Sequence, residues 1–298
     1  MKIYLNNAND NWICSRFYKE WYEHNSDIST KNIEEADIIW LIAGWQWKDT
    51  PISYLQSKKT IITVHHIVPD KFNSIEFKER DKLIDIYHVP CEITKSQIQQ
   101  YTNKPIIVIP FWSNQKLWYP LDKIECRKEL GLPLDKFLVG SFQRDTEGHD
   151  LISPKLEKGP DIFCDIIESW YNQEKNTEIV LAGWRRQYII NRLNKSNIKH
   201  YYYELPPQDV LNKLYNCLDL YLVAARIEGG PQAIGECALS KTPIISTNVG
   251  ITSLILPKES IIEGDNEVTP NVEYAYDSIS KYTIPNGFEE FKNKFLCK

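Results

Sequence analysis

Short apolar runs alternate with helix-length amphipathic stretches along this chain, and the alternation occurs twice. In the first half, residues 2–6, 36–43, 60–65, 86–89 and 106–109 read as strands. Between them, 12–24, 51–57, 72–83 and 94–101 carry apolar residues at helical spacing. The run Ala36-Asp-Ile-Ile-Trp-Leu-Ile-Ala43 is apolar almost throughout, the mark of a strand covered on both faces. Strand and helix in alternation imply right-handed crossovers and a parallel sheet.

The pattern breaks at 110–133, where three prolines and many charges surround a short helical stretch at 124–130. That stretch ends on Gly131 with Pro133 just beyond, a helix stop. A second alternation follows. Strands are expected at 137–142, 178–182, 200–204, 218–223 and 244–246, and helices at 160–171, 186–193 and 208–215. An amphipathic helix closes the chain at 287–297. At 298 residues, two cores are comfortable. The expected fold class is α/β, with two Rossmann-like doubly wound parallel-sheet domains facing a central cleft. The first spans 1–115 and the second 116–286, with 287–298 free to pack back on the first. Ligands of such sheets bind beyond the carboxyl ends of the strands.

The residues that carry chemistry gather at those ends. Glu228-Gly-Gly-Pro-Gln-Ala-Ile-Gly-Glu236 places two carboxylates with seven residues between them, around a glycine pair. The expected strand precedes it and an apolar helical pattern follows. Unbonded N–H groups and the positive end of the helix dipole suit a phosphate there. A carboxylate beside a phosphate calls for a different partner, and paired sugar or ribose hydroxyls fit. Arg144 follows the first strand of the second half, and Lys158-Gly159-Pro160 opens the next helix. Together these two cations can neutralise a diphosphate, the arginine as a fork and the lysine as a point charge. A solvated surface cation is the plainer reading of either one alone. His65-His66 ends an apolar strand of the first half, where a histidine serves structure as often as chemistry.

Net charge is −5 with no long basic run, which argues against nucleic acid as the partner. The seven cysteines are scattered, odd in number and without a C-x-x-C pair, so a reduced, cytoplasmic chain is expected. The first residues read directly as a strand, without a signal peptide. No apolar run reaches the roughly 18–20 residues of a membrane span, so any membrane contact would be peripheral. The chain has nine Trp and 17 Tyr, rings that serve as core or as sugar-stacking surfaces. Trp12, Trp45 and Trp47 stand near expected strand ends and are candidates for the second use.

These motifs, in this order, resemble the retaining nucleotide-sugar glycosyltransferases of the GT-B fold, family four, also described as glycosyl transferases group 1. The family's two glutamates with seven residues between them match Glu228 and Glu236. Its small-Pro-apolar strand ending in Gly matches Thr242-Pro-Ile-Ile-Ser-Thr-Asn-Val-Gly250. Its Arg and Lys-Gly match Arg144 and Lys158-Gly159, with a longer loop between them here. The resemblance covers about 137–250. In the first half, His65-His66 looks like the family's strand-end His, followed by His66 where Asp is usual. The family's opening Gly-Gly turn is replaced by the glycine-free segment 6–12.

The resemblance implies transfer of a sugar from an NDP-sugar to a glycan, a lipid-linked or another acceptor, with retention. Glu228 would face the sugar hydroxyls and Glu236 the ribose. Arg144 and Lys158 would hold the diphosphate, beside the N–H groups of Gly229, Gly230 and Gln232. His65 joins the catalytic set and Tyr202 the donor-binding set. No cofactor or metal is expected, in keeping with the lack of any Asp-x-Asp sequence. The donor is a substrate, with UDP or GDP as its nucleotide. An NDP-sugar epimerase of the same fold, or a non-catalytic nucleotide-sugar-binding protein, is the alternative.

Overall fold

The computed structural model describes residues 1–9, 13–148, 150–173, 176–264 and 266–297. Trp12 and the 10–12 part of the 6–12 segment lie outside the described residues. The chain divides into two compact units, Met1–Trp112 with Ile284–Lys298, and Ser113–Thr283.

In the first unit, β1 (Ile3–Leu5), α1 (Ile13–His24), β2 (Ile38–Leu41), α2 (Ile52–Ser57), β3 (Lys59–Thr63), α3 (Ser74–Asp81), β4 (Ile86–Val89), α4 (Glu92–Ile98) and β5 (Ile106–Val108) follow in turn. The five strands are parallel and lie in the order β1-β2-β3-β4-β5. Ile3 pairs with Ile38 of β2 and also forms an isolated parallel bridge to Ser29. A strand has two edges, so Ser29 marks a vestigial strand on the far side of β1. The chain therefore winds outward from β1 in both senses.

The apolar run 36–43 is explained by its two faces. Ile38, Trp40 and Ile42 pack with Phe17 and Trp21 of α1. Ile39 and Leu41 pack with Leu55 of α2, Phe77 of α3 and Ile98 of α4. Alternate side chains of a strand point to opposite faces, so a strand between two helical layers must be apolar at every position.

The second unit begins with α5 (Lys123–Leu130), capped by the Asp122 carboxylate on Glu125 N at 2.8 Å and ended by left-handed Gly131. Then come β6 (Phe137–Ser141), α6 (Pro160–Gln173), β7 (Thr177–Ala182), α7 (Gln187–Lys195), β8 (His200–Tyr203), α8 (Gln208–Asn216), β9 (Leu220–Val223), α9 (Gln232–Leu239), β10 (Ile244–Thr247), α10 (Thr252–Ile255), β11 (Ile261–Ile262) and α11 (Val272–Ser280). The strand order is β11-β10-β9-β6-β7-β8. Strands added after β6 run to one side and those from β9 onward to the other. The order therefore reverses between β6 and β9, which is where a doubly wound sheet opens a crevice for a ligand.

The last helix, α12 (Glu289–Leu296), belongs to the first unit. Its Phe291 and Phe295, with Phe288 just before it, fill the α1 face of that sheet. Among the described residues no helix is long and apolar enough to cross a membrane.

Candidate functional site: the switch point of the second sheet

At the reversal, β6 and β9 are hydrogen-bonded neighbours, with Val139 beside Leu220 and Gly140 beside Tyr221. The two chemistry-bearing loops leave their carboxyl ends side by side. The loop before α6 is docked onto the end of β9. Arg226 N and Ile227 N donate to the Glu157 carbonyl at 2.9 and 3.0 Å. Gly159 sits in the left-handed region at φ +62°, and a Cβ there would lie 1.7 Å from the Ala224 carbonyl oxygen. Only glycine accepts both the backbone sign and the approach. The Gln143 amide, on the loop after β6, donates to the Lys158 carbonyl at 2.8 Å.

This docking brings Lys158 to Glu228. Lys158 Nζ and Glu228 Oε1 form an ion pair, with both side chains largely out of solvent. On the other side, Gly250 at φ +55° closes the turn after β10 against the Gly229 carbonyl, 2.4 Å from where a Cβ would stand. Gly159 and Gly250 are thus packing requirements of the turns on either side of Glu228.

Helix α9 starts at Gln232, with Pro231 before it and no side-chain cap. The Gln232 amide turns back to the Gly230 carbonyl at 3.3 Å. Glu236 lies about one turn into α9 and is only 7% exposed, with Tyr215 Oη donating to its Oε2 at 2.7 Å.

Arg144 turns elsewhere. Its Nε donates to the Thr146 carbonyl at 2.7 Å, and its guanidinium stands 5.6 Å from the centre of the Trp184 ring. Burial, then the neighbouring Arg185, hold its pKa below the ordinary guanidinium value. Tyr202 donates its hydroxyl to the Gly183 carbonyl at 2.9 Å, bracing the turn that presents Trp184. His65 belongs to the first unit, just past β3. Its Nε2 lies 2.9 Å from the Ile42 carbonyl, so that nitrogen carries the proton, and its ring stacks on Phe111. The structure therefore joins Lys158 to Glu228 directly, holds Glu236 through Tyr215, and places Arg144 on Trp184 and Thr146.

Three contributors were not legible in the sequence. Trp184 is 41% exposed between two guanidiniums, with Arg185 4.2 Å from its ring centre. Arg186 is fully buried and pairs with Asp145 at 3.1 Å. Tyr215 is inside the core. Neighbouring arginines at a strand end give no sign of which one turns inward.

Residues 151–295, just under half of the chain, match the family described as glycosyl transferases group 1. No curated relative matches the sequence. Among solved structures, HepE of Anabaena in complex with UDP and glucose is similar, with a TM-score of 0.65 and 14% identity over 99% of this chain and 91% of that one. Sucrose-phosphate synthase from Thermosynechococcus elongatus has a TM-score of 0.60 and 16% identity, covering 89% of this chain. TarM of S. aureus has 0.61 and 16%, covering 95%. The chain spans 66% of the synthase and 58% of TarM. The class of protein is thereby defined as the GT-B fold, two Rossmann-like domains each on a parallel sheet. Within that class the chain resembles the group 1 glycosyl transferases.

Proposed function

We propose that this chain is a glycosyltransferase that moves a sugar from an NDP-sugar to a glycan, lipid-linked or other acceptor, with retention and without a metal. The observation that carries the reading is the meeting of Lys158 and Glu228 at the switch point, beside a helix start with no side-chain cap. A cation there suits a phosphate, and a carboxylate suits a hydroxyl. The group 1 match lends support, and so does HepE, solved with UDP and glucose. A UDP-linked donor is the first choice.

In this reading Lys158 and Arg144 hold the diphosphate, along with the N–H groups of Gly229, Gly230 and Gln232. Arg144 swings off Thr146 to reach it, and Trp184 limits where it can go. Glu236 takes the ribose, Glu228 the sugar hydroxyls, and His65 keeps the catalytic role expected of it. Tyr202 acts through the Gly183 turn. Charge builds on the leaving diphosphate as the glycosidic bond breaks, and preorganised cations at that point lower the barrier most. No protein nucleophile is assigned.

Titration calorimetry with UDP- and GDP-sugars, together with assay of NDP release, tests this. Lys158→Ala and Arg144→Ala are each expected to remove a charge-assisted contact of roughly 1.5–3 kcal/mol, raising the NDP Kd about 10–150-fold. Turnover is expected to persist in EDTA. Parent-like NDP binding in both variants would sink the cation assignment. Loss of activity restored by Mg²⁺ would sink metal independence, and sugar interconversion without transfer would mark an epimerase.

The ion pair adds an expectation for Glu228. In the empty site Glu228 holds the lysine that the diphosphate needs. Glu228→Gln releases Lys158, so NDP should bind at least as tightly as to the parent while turnover falls. Weaker NDP binding with unchanged turnover at saturation would refute this division of roles.

A further inference from the structure

Glu236 is the most enclosed of the proposed donor-binding carboxylates, and a carboxylate that deep needs donors. One of them is Tyr215 Oη, at 2.7 Å from Oε2. Tyr215 reaches it from α8, a different helix, and is itself 2% exposed. Its ring is wedged by Trp118, Phe142 and Tyr221, with centroids at 5.7, 4.9 and 5.5 Å. Its own carbonyl accepts from the Thr242 hydroxyl at 3.0 Å. The phenol therefore cannot follow Glu236 if the carboxylate rotates. The terminal torsion of a glutamate is broad and soft, so a fixed donor on Oε2 restricts which way the second oxygen, Oε1, is aimed. Burial, then the charge of Glu236, push the Tyr215 pKa well above its ordinary value, so the hydroxyl stays a donor across the working pH range.

We propose that Tyr215 is the positioning residue that aims Glu236 at the ribose, and that it thereby sets the preference of this site for ribonucleoside over 2′-deoxyribonucleoside diphosphates. The inference rests on the reading of Glu236 as the ribose-binding carboxylate. The hydroxyl of Tyr215 touches no reacting atom, and its effect passes through Glu236 alone. It should therefore alter affinity only for ligands that carry a ribose. Inorganic pyrophosphate, which offers the phosphates without the sugar, should not sense it.

The experiment is calorimetric binding of UDP, 2′-deoxy-UDP and pyrophosphate to the full chain, with the GDP pair used if guanine is the base bound. The parent should prefer UDP over its deoxy analogue by about 10-fold or more, the size of a hydrogen bond to a charged group. Tyr215→Phe, which removes only the hydroxyl and keeps the ring in the core, should bring that ratio close to one while leaving pyrophosphate affinity unchanged. In a Glu236→Gln background the same substitution should do nothing further. A ratio retained in Tyr215→Phe overturns the inference and leaves the function standing. Equal weakening of UDP and pyrophosphate means that Tyr215 merely holds the fold, which also overturns it. A parent that binds neither diphosphate overturns the reading of the whole site, and this inference with it.

Discussion

Replacing Arg186 by Met should cost this protein about 3–5 kcal/mol of stability, because it leaves Asp145 charged, buried and without its partner. Arg186 is completely enclosed. Its Nε meets Asp145 Oδ2 at 3.1 Å, its Nη1 donates to the carbonyls of Ser141 and Ala182, and its Nη2 reaches Ser141 Oγ at 3.2 Å. Asp145 in turn accepts from the N–H groups of Tyr188 and Ile189 at 3.3 and 3.4 Å, closing the start of α7. The substitution thus removes the counter-charge of a buried carboxylate and one donor to each of two main-chain carbonyls at once. For a unit of this size the fall in Tm should be on the order of 10 °C. Asp145→Leu added to Arg186→Met should recover part of the loss by removing the orphaned charge. Urea melts of the parent, the single and the double variant decide it. A single variant within about 1 kcal/mol of the parent would show that the pair is not a determinant of stability. Asp145 N also donates to the Arg185 carbonyl at 3.0 Å, so the clamp fixes the loop of Arg144 to the turn of Trp184. A weaker NDP affinity should accompany the loss of stability.

Acid should destabilise the first unit through one histidine. His88 on β4 is fully buried, among Trp40, Phe111, Phe291 and Phe295. It is satisfied as a neutral ring. Nε2–H donates to the Ile109 carbonyl at 2.8 Å, and Nδ1 accepts from the Thr63 hydroxyl at 2.9 Å. Thr63 Oγ1 accepts from Trp40 Nε1 at 2.9 Å, which completes the chain. Burial pulls the pKa of His88 down to about 3, the Ile109 carbonyl opposes this, and nearby His65 adds to it. The unfolded chain takes up that proton near pH 6.5, and the folded chain refuses it until about pH 3. Stability from this group is complete above 6.5 and lost as pH falls through the window, at about 1.4 kcal/mol per unit. Between pH 6.5 and 5 the parent should lose about 2 kcal/mol more than His88→Gln, which cannot titrate. Equal pH slopes in the two proteins would refute it. The carboxylates common to both cancel in the comparison.

Much of this was legible from residue order. The alternation of apolar runs and helical patterns gave every strand from β1 to β10, because period and burial are local properties. The Gly131 stop was readable because a left-handed position leaves few choices. Short α10 and β11 were not read, since a two-residue strand and a four-residue helix have no period to detect, and the nine-residue α11 was missed as well. Strand order was equally silent. That Ser29 holds the place of a strand beside β1 depends on one bridge, and a single residue carries no pattern.

For the site, the sequence by itself determined which chemical groups are available and where along the chain they stand. Glu228 and Glu236 flank a glycine turn, and Lys158-Gly159 opens a helix. Spacing and turn chemistry reveal such features because neighbours in sequence share one backbone. Only the tertiary structure decided what those groups touch. Lys158 and Glu228 lie 70 residues apart and meet because β6 and β9 are adjacent where the strand order reverses. Tyr215 and Arg186 look like ordinary members of amphipathic stretches, yet one holds Glu236 and the other anchors the loop of Arg144. Their roles follow from contacts between separate elements. Such contacts are set by how layers pack in three dimensions, and no local pattern of residues encodes them.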